Sequence, residues 1–239
     1  MKDADRRKDE FLATLAHELR NPLAAIKAAT YTLDHGSARE TKARQEIDAL
    51  AILDRQVDQL VRLVDDLLEV SRIRTGKITL RLEPVDLEKV LRQAIETAQP
   101  ELDRGRHTLK VDLPNDQIVL RGDLVRLIQV FANLLNNAAK YTDPNGKIEL
   151  SAERFGREAI VTVRDNGIGI PSDMLPHIFD FFTQVDGGER REKGGLGIGL
   201  GLVRDLVKRH GGSVEAKSDG QGRGSTFTVR LPIFEDGPP

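Results

Sequence analysis

The sequence predicts an α-helical hairpin followed by an α/β two-layer sandwich, and three observations carry that reading. Apolar residues keep a helical period from the N-terminus to about Arg74. One Gly-containing break interrupts that period. Beyond Pro84, helical and strand-like patterns alternate, as they do where a sheet is covered by helices. The change of pattern divides the 239 residues into an expected helical domain at 1–75 and an expected sandwich at 76–239.

In the first segment Leu12, Leu15, Leu19, Ile26 and Leu33 recur at steps of three, four or seven, with Pro22 and Ala29 in the intermediate places. His35-Gly36-Ser37 breaks the pattern, and Gly36 suits a helix C-terminus. A second run places Ile47, Leu50, Val57, Leu60, Val61, Val64, Leu67 and Leu68 at similar steps. Its apolar face is wider than one partner helix covers, and a lone helix pair leaves half of each stripe wet. Two hairpins packed as a dimeric four-helix bundle resolve that exposure. The alternative is a hairpin packed on its own C-terminal domain. Ser71 to Pro84 reads as the connection, with Thr75-Gly76 as a break and hinge.

In the second segment Asp86 is placed to cap a helix that runs to Gln99, where Pro100 stops it. His107 to Val111 alternates like a strand, and Ile118 to Leu120 forms a short second one. Asp123 to Tyr141 is a strong helix with Leu124, Leu127, Ile128, Phe131, Leu134 and Leu135 on its buried side. Lys147–Ala152 and Glu158–Arg164 read as a strand hairpin. An irregular stretch from about Pro171 to Lys193 precedes a helix from about Gly197 to His210 and strands at Ser213–Lys217 and Ser225–Leu231. The C-terminal EDGPP is expected to be loose.

Composition excludes several function classes. A formal charge of -2, from 36 basic and 38 acidic residues, leaves no footprint for nucleic acid or an anionic membrane. Aromatic residues at 4%, with no Trp, argue against a base-stacking surface. The absence of Cys rules out disulfides, thiolate zinc sites and cysteine nucleophiles. No apolar run approaches the roughly 18 to 20 residues that span a bilayer, and no signal peptide opens the chain. The expected location is cytoplasmic, in this chain or as the cytosolic part of a longer protein.

Three spaced clusters describe a nucleotide-phosphate cradle: NLLNNAAKYT from Asn133, DNGIGI from Asp165 and GGLGIGLGL from Gly194. Asn133, Asn137 and Lys140 lie four and three residues apart, hence on one helix face. An amide oxygen from Asn137 beside triphosphate oxygens suits magnesium, a hard ion that prefers oxygen ligands. Lys140 adds a point charge for phosphate. Asp165 ends a strand beside Gly167 and Gly169, where a carboxylate can accept from the exocyclic amine of adenine. Gly195, Gly197 and Gly199 precede a helix whose free amides favour phosphate. No Lys-Ser or Lys-Thr follows, so this is not a P-loop, and the cluster closes the domain rather than opening a βαβ unit. ATP with magnesium is the expected ligand.

These clusters resemble the N, G1 and G2 boxes of the sensor histidine kinase catalytic domain, of the ATPase superfamily shared with gyrase and MutL, whose Bergerat-type fold is a two-layer sandwich. IFDFFTQVD at 178–186 resembles that family's F box, and the likeness covers nearly all of residues 80–233. The resemblance implies that Asn137 holds magnesium, that Asn133 and Lys140 contact phosphate, that Tyr141 lies against the base and that Asp165 reads adenine. Gly167, Gly169, Gly195, Gly197, Gly199 and Leu200 complete the implied ATP-binding set. Gly201 departs from the pattern, where an alanine is more usual. A helix loses roughly 0.5 to 1 kcal/mol by that exchange, so a looser helix start is expected.

Of five histidines, His17 stands mid-helix beside the leucine stripe, followed by Glu18 and, one turn on, Asn21. A neutral imidazole is a good nucleophile, and Asn21 shares its face, where it could orient a water. Pro22 should bend the helix just beyond. AHELRNPL resembles the H box of the histidine kinase dimerisation and phosphotransfer domain. That likeness implies His17 as phosphoacceptor, Glu18 as acid/base and Asn21 as the phosphatase residue, with Arg20 a weaker phosphate contact. His35 and His210 read as capping or surface residues, and His107 and His177 as non-functional.

The expected activity is autophosphorylation of His17 from ATP in a homodimer, then transfer to an aspartate of a response regulator receiver domain. No sensor segment precedes residue 1 and no receiver-like segment follows, so a kinase core cut from a longer protein, or a minimal engineered version, is expected. Two other readings stay open. A nucleotide-binding scaffold would bind ATP without labelling protein, and a plain gyrase-type ATPase would release free phosphate and leave the His17 segment unexplained.

Overall fold

The computed structural model describes residues 2–35, 39–74, 79–183 and 196–234. It divides into two compact units, residues 1–77 with 194–196, and residues 78–193 with 197–239. The first unit is a hairpin of two long helices, α1 (Lys2–His35) and α2 (Arg39–Arg74), packed against one another. Pro22 lies inside α1 and is buried. The expected breaks at Gly36 and Thr75-Gly76 lie outside the described residues, as do the side chains of His17 and Glu18. Ala29, Ala49 and Leu63 are buried. Ile47, Leu50, Val57, Val61, Val64 and Leu68 of α2 stay exposed, at steps of three, four or seven that line one helix face as in a packing seam.

The second unit opens with β1 (Glu83–Asp86), a strand that the sequence does not predict and that begins within the expected connection. Its Pro84 is compatible with a two-stranded edge sheet, where a missing N–H costs little. β1 pairs antiparallel with β3 (Val119–Gly122), matching Val85 to Leu120. Asp86 caps α3 (Leu87–Gly105) by accepting from the Glu88 N–H at 2.8 Å. The expected stop at Pro100 is a correction: α3 continues through it to Gly105 and ends on Arg106 in the left-handed conformation. Pro100 and Glu96, whose carbonyl the proline leaves without its helical donor, are both exposed, so water can satisfy that carbonyl.

The main sheet is five-stranded, in the order β2 (Thr108–Asp112), β4 (Lys147–Phe155), β5 (Glu158–Asp165), β7 (Ser225–Pro232) and β6 (Ser213–Lys217). Only the β2–β4 pair is parallel. Alternation sets one buried face: Leu150, Val163 and Phe227 align across three strands, as do Ala152, Val161 and Val229. α4 (Leu124–Tyr141) packs between α3 and α5 (Gly199–Arg209) and against β5. Leu127, Val130, Phe131, Leu134 and Leu135 of α4 are fully buried, whereas Leu124 and Ile128 are only partly so. Asp165 ends β5 in the same core-facing register as Val161 and Val163, which places a carboxylate at the rim of the core.

Candidate nucleotide site

Asp165 is 7% exposed, and both its oxygens are held by protein donors. Oδ1 accepts from the Gly167 N–H at 2.8 Å, and Oδ2 accepts from the Ser225 hydroxyl across the β5–β7 pair. Each carboxylate oxygen has a second lone-pair direction, so the anchored group can still accept from a ligand amine. Asn166 closes the strand end by accepting from the Lys147 N–H at 2.7 Å.

The turn after Asp165 meets the end of α4. The Ile168 N–H donates to the Tyr141 carbonyl at 3.0 Å. A β-carbon on Gly167 would lie 2.2 Å from that carbonyl oxygen, so only glycine admits this approach. Gly169 has φ 70° and sits against the Gly220 carbonyl. The same turn interleaves with residues 218–224: Gly222 N–H donates to Ile168 O at 2.7 Å, Gly224 N–H to Gly167 O at 3.0 Å, and Ile170 N–H to the Ser218 hydroxyl at 2.9 Å.

On α4, Asn133, Asn137 and Lys140 are all partly buried, and Tyr141 is at the surface with the Lys140 Nζ 4.8 Å from its ring centre. The first turn of α5 comes to this face. From the β-position of Gly199, the Asn133 amide carbon and oxygen lie 3.9 Å away and the Asn137 Nδ2 lies 4.0 Å away. The residue before α5, Ile198, supplies no side-chain cap, so that turn's donors have no side-chain acceptor there. Leu200 lies in the same turn, partly buried, and Gly197 turns into it at φ 66°. Gly195 lies outside the described residues. The structure therefore gathers amides, an ammonium group, an anchored carboxylate and a helix start at one end of α4 and α5.

Several supports of this site carried no signal in the sequence. Ser225 is an ordinary strand serine 60 residues from the carboxylate it holds. The 218–224 turn was legible only as a loop. His107, read as non-functional, places Nε2 3.0 Å from the Ala139 carbonyl. A ring nitrogen facing a carbonyl must be the donor, so His107 satisfies one of the last carbonyls of α4, while its Nδ1 is buried without a partner. His210, read as a capping or surface residue, is the C-cap of α5 and not a surface residue. It is buried, its Nδ1 donates to Leu206 O at 2.7 Å, and its Nε2 accepts from the Asp123 N–H at 3.0 Å. That bonding requires the neutral ring, and burial pushes its pKa below the ordinary value against the opposing influence of the Leu206 carbonyl and Asp123. His177 is exposed, with Nδ1 3.4 Å from Asp180. The expected looseness at Gly201 is replaced by packing, since the residue is buried beside the Phe181 ring.

In the first unit His17, Glu18 and Asn21 fall within α1, and Arg20 and Asn21 are exposed. Among the described residues no helix is long and apolar enough to cross a membrane, and no cluster of acidic and histidine side chains could hold a metal.

A helical hairpin joined to an α/β sandwich with such a cradle defines a two-domain ATP-binding chain. Residues 7–76 match the His Kinase A (phospho-acceptor) domain, and residues 122–235 match the histidine kinase-, DNA gyrase B-, and HSP90-like ATPase. The chain belongs to the sensor histidine kinase family. It is 40% identical, over 96% of its length, to the circadian input-output histidine kinase CikA of Synechococcus elongatus, and spans about 30% of that relative. A structure of full-length ShkA in complex with AMPPNP is 30% identical and matches with a TM-score of 0.68, covering 95% of this chain and 46% of that one. The Acinetobacter baumannii histidine kinase AdeS, at 23% identity and a TM-score of 0.68, covers 92% of this chain and 98% of its own and shares the fold.

Proposed function

We propose that this chain is the catalytic core of a two-component sensor kinase, in which the γ-phosphoryl group of ATP passes to His17 and then to an aspartate of a response regulator receiver domain. The observation that carries the reading is the convergence of Asn133 and Asn137 with the Gly199 helix start, on a domain that follows a phospho-acceptor hairpin. The AMPPNP complex of the ShkA relative, which holds an ATP analogue, supports the same use of the pocket.

In this reading Asp165 accepts from the adenine amine, held rigid by Ser225 and Gly167. Tyr141 lies against the base. Asn133, Lys140 and the amides from Gly197 to Leu200, with Gly195, surround the phosphates. Asn137 is the protein ligand for magnesium. The donor set fits that ion: amide oxygens are hard ligands, and with no carboxylate cluster among the described residues the site is suited to a cation that arrives with the nucleotide. Magnesium, when bound, neutralises phosphate charge, and the remaining catalysis is positioning and electrostatic stabilisation. On α1, His17 is the nucleophile, Glu18 the acid/base, and Asn21 orients water for dephosphorylation. The domains are taken as 1–75 and 76–239. The chain works as a homodimer through the exposed α2 seam, on the cytoplasmic side as part of a longer sensor.

Incubation with γ-labelled ATP and magnesium tests the reading. Label on protein should be acid-labile and base-stable, and absent in His17→Gln. Free phosphate with no protein label would instead favour a plain ATPase.

A further inference from the structure

Gly201 lies in the first turn of α5, buried, with an aromatic ring in the space beside it. A β-carbon there would stand 2.7 Å from Cδ1 and 2.8 Å from Cε1 of Phe181, closer than non-bonded carbons approach. The obstacle is a rigid ring, which can yield only by swinging out as a whole.

Other contacts bind the same aromatic turn to the same glycine turn. The Phe182 N–H donates to the Gly197 carbonyl at 2.8 Å. Arg204, one turn further along α5, donates to Asp180 at 3.2 Å. A β-carbon on Gly197 would lie 2.6 Å from the Thr183 carbonyl oxygen. Phe182 itself adopts φ 70°, a conformation that a bulky residue keeps only when its surroundings impose it. Residues 180–183 are thus fastened ahead of α5, at Gly197, and on it, at Gly201 and Arg204.

The fastening bears on where the phosphate donors point. Peptide planarity sets the Ile198 N–H opposite to the Gly197 carbonyl. Holding that carbonyl with Phe182 therefore aims the Ile198 N–H away from the aromatic turn. No side-chain cap does this work at the start of α5.

We propose that Gly201 is a positioning residue for nucleotide binding: its missing side chain seats Phe181, and the seated 180–183 turn fixes the Gly197–Gly199 backbone that meets the phosphates. The proposal rests on the nucleotide-site reading above.

A double-mutant cycle between Gly201→Ala and Phe181→Ala tests it, with Tm and the Kd for AMPPNP with magnesium measured on each protein. Helix propensity alone makes Gly201→Ala stabilising. The seat predicts the opposite in the parent, a fall in Tm with Kd raised about fivefold or more, a loss of at least ~1 kcal/mol of binding. In the Phe181→Ala background the same substitution should raise Tm and leave Kd within about twofold. A rise in Tm in both backgrounds would overturn the seat. A fall in Tm with Kd unchanged would overturn the positioning role and leave packing alone. Failure of the parent to bind AMPPNP overturns the reading of the site and this role with it, whereas a parent that binds and a cycle that shows no coupling overturn the role by itself.

Discussion

Asp165 is a carboxylate in a register that the strand otherwise fills with Val161 and Val163, and two donors hold its oxygens there. Removing one should be felt twice. Ser225→Ala leaves a buried acceptor short of a partner, which costs about 1–3 kcal/mol of stability. It also frees the group that is to read adenine, so nucleotide affinity should fall several-fold. Urea unfolding paired with calorimetric titration checks both, and a variant as stable and as tight as the parent would contradict the assignment. His210 gives a pH signature. Its pKa is lowered by folding, so between about 6.5, the ordinary value, and that lowered value the unfolded chain binds the extra proton. Its contribution to stability is intact above about pH 6.5 and is lost as the pH falls from there towards the folded value. His210→Gln should flatten the pH dependence of the unfolding midpoint in that window; an unchanged slope would show that another group is responsible.

Among the elements, α4 matters most, since its C-terminal turns carry Asn137, Lys140 and Tyr141. The His107 imidazole holds the Ala139 carbonyl there, and the adjoining turns are tied by Asn145 N–H to Gly105 O at 2.8 Å and Thr108 N–H to Gly146 O at 2.9 Å. His107→Ala should speed amide exchange over the last turn of α4 and weaken nucleotide binding, with partial recovery in His107→Gln, whose amide can reach the same carbonyl. Equal exchange rates in all three proteins would sink this. At the start of α3, Asp86→Ala should cost about 1 kcal/mol, the usual worth of an N-cap. The elements that could be read from sequence are those whose signal is local. Asp86 as a cap, the α4 leucines and the β4–β5 alternation all act over a few residues. β1 was missed because a Pro-containing four-residue strand has no period to detect, and Pro100 misled because its cost depends on whether Glu96 faces water. The nucleotide cluster was legible because Asn, Lys, Asp and Gly recur at fixed spacings. Its supports were not, because Ser225 and the 218–224 turn reach the site only through tertiary pairing, as does the contact of Phe181, itself within the F box, with Gly201.

At the scale of the whole molecule, the exposed seam of α2 is the proposed contact with a second copy. Val61→Glu with Leu68→Glu should convert a dimer to a monomer in light scattering while leaving AMPPNP affinity unchanged; a dimer that survives both charges would place the interface elsewhere. Within such a dimer, a crosslinked pair combining a His17→Gln subunit with an Asn137→Ala subunit decides whether phosphate moves within or between chains. Label on the Asn137→Ala subunit means transfer between chains, and its absence means transfer within one.

The order of strands in the main sheet also has a consequence for synthesis. β5 sits in the middle, yet its neighbour β7 is the last strand of that sheet to leave the ribosome. Until Ser225–Pro232 emerges, β5 keeps an open edge of unpaired amides, the kind of template on which nascent chains aggregate. Translation products that end before residue 225 should therefore be the sticky, chaperone-dependent ones.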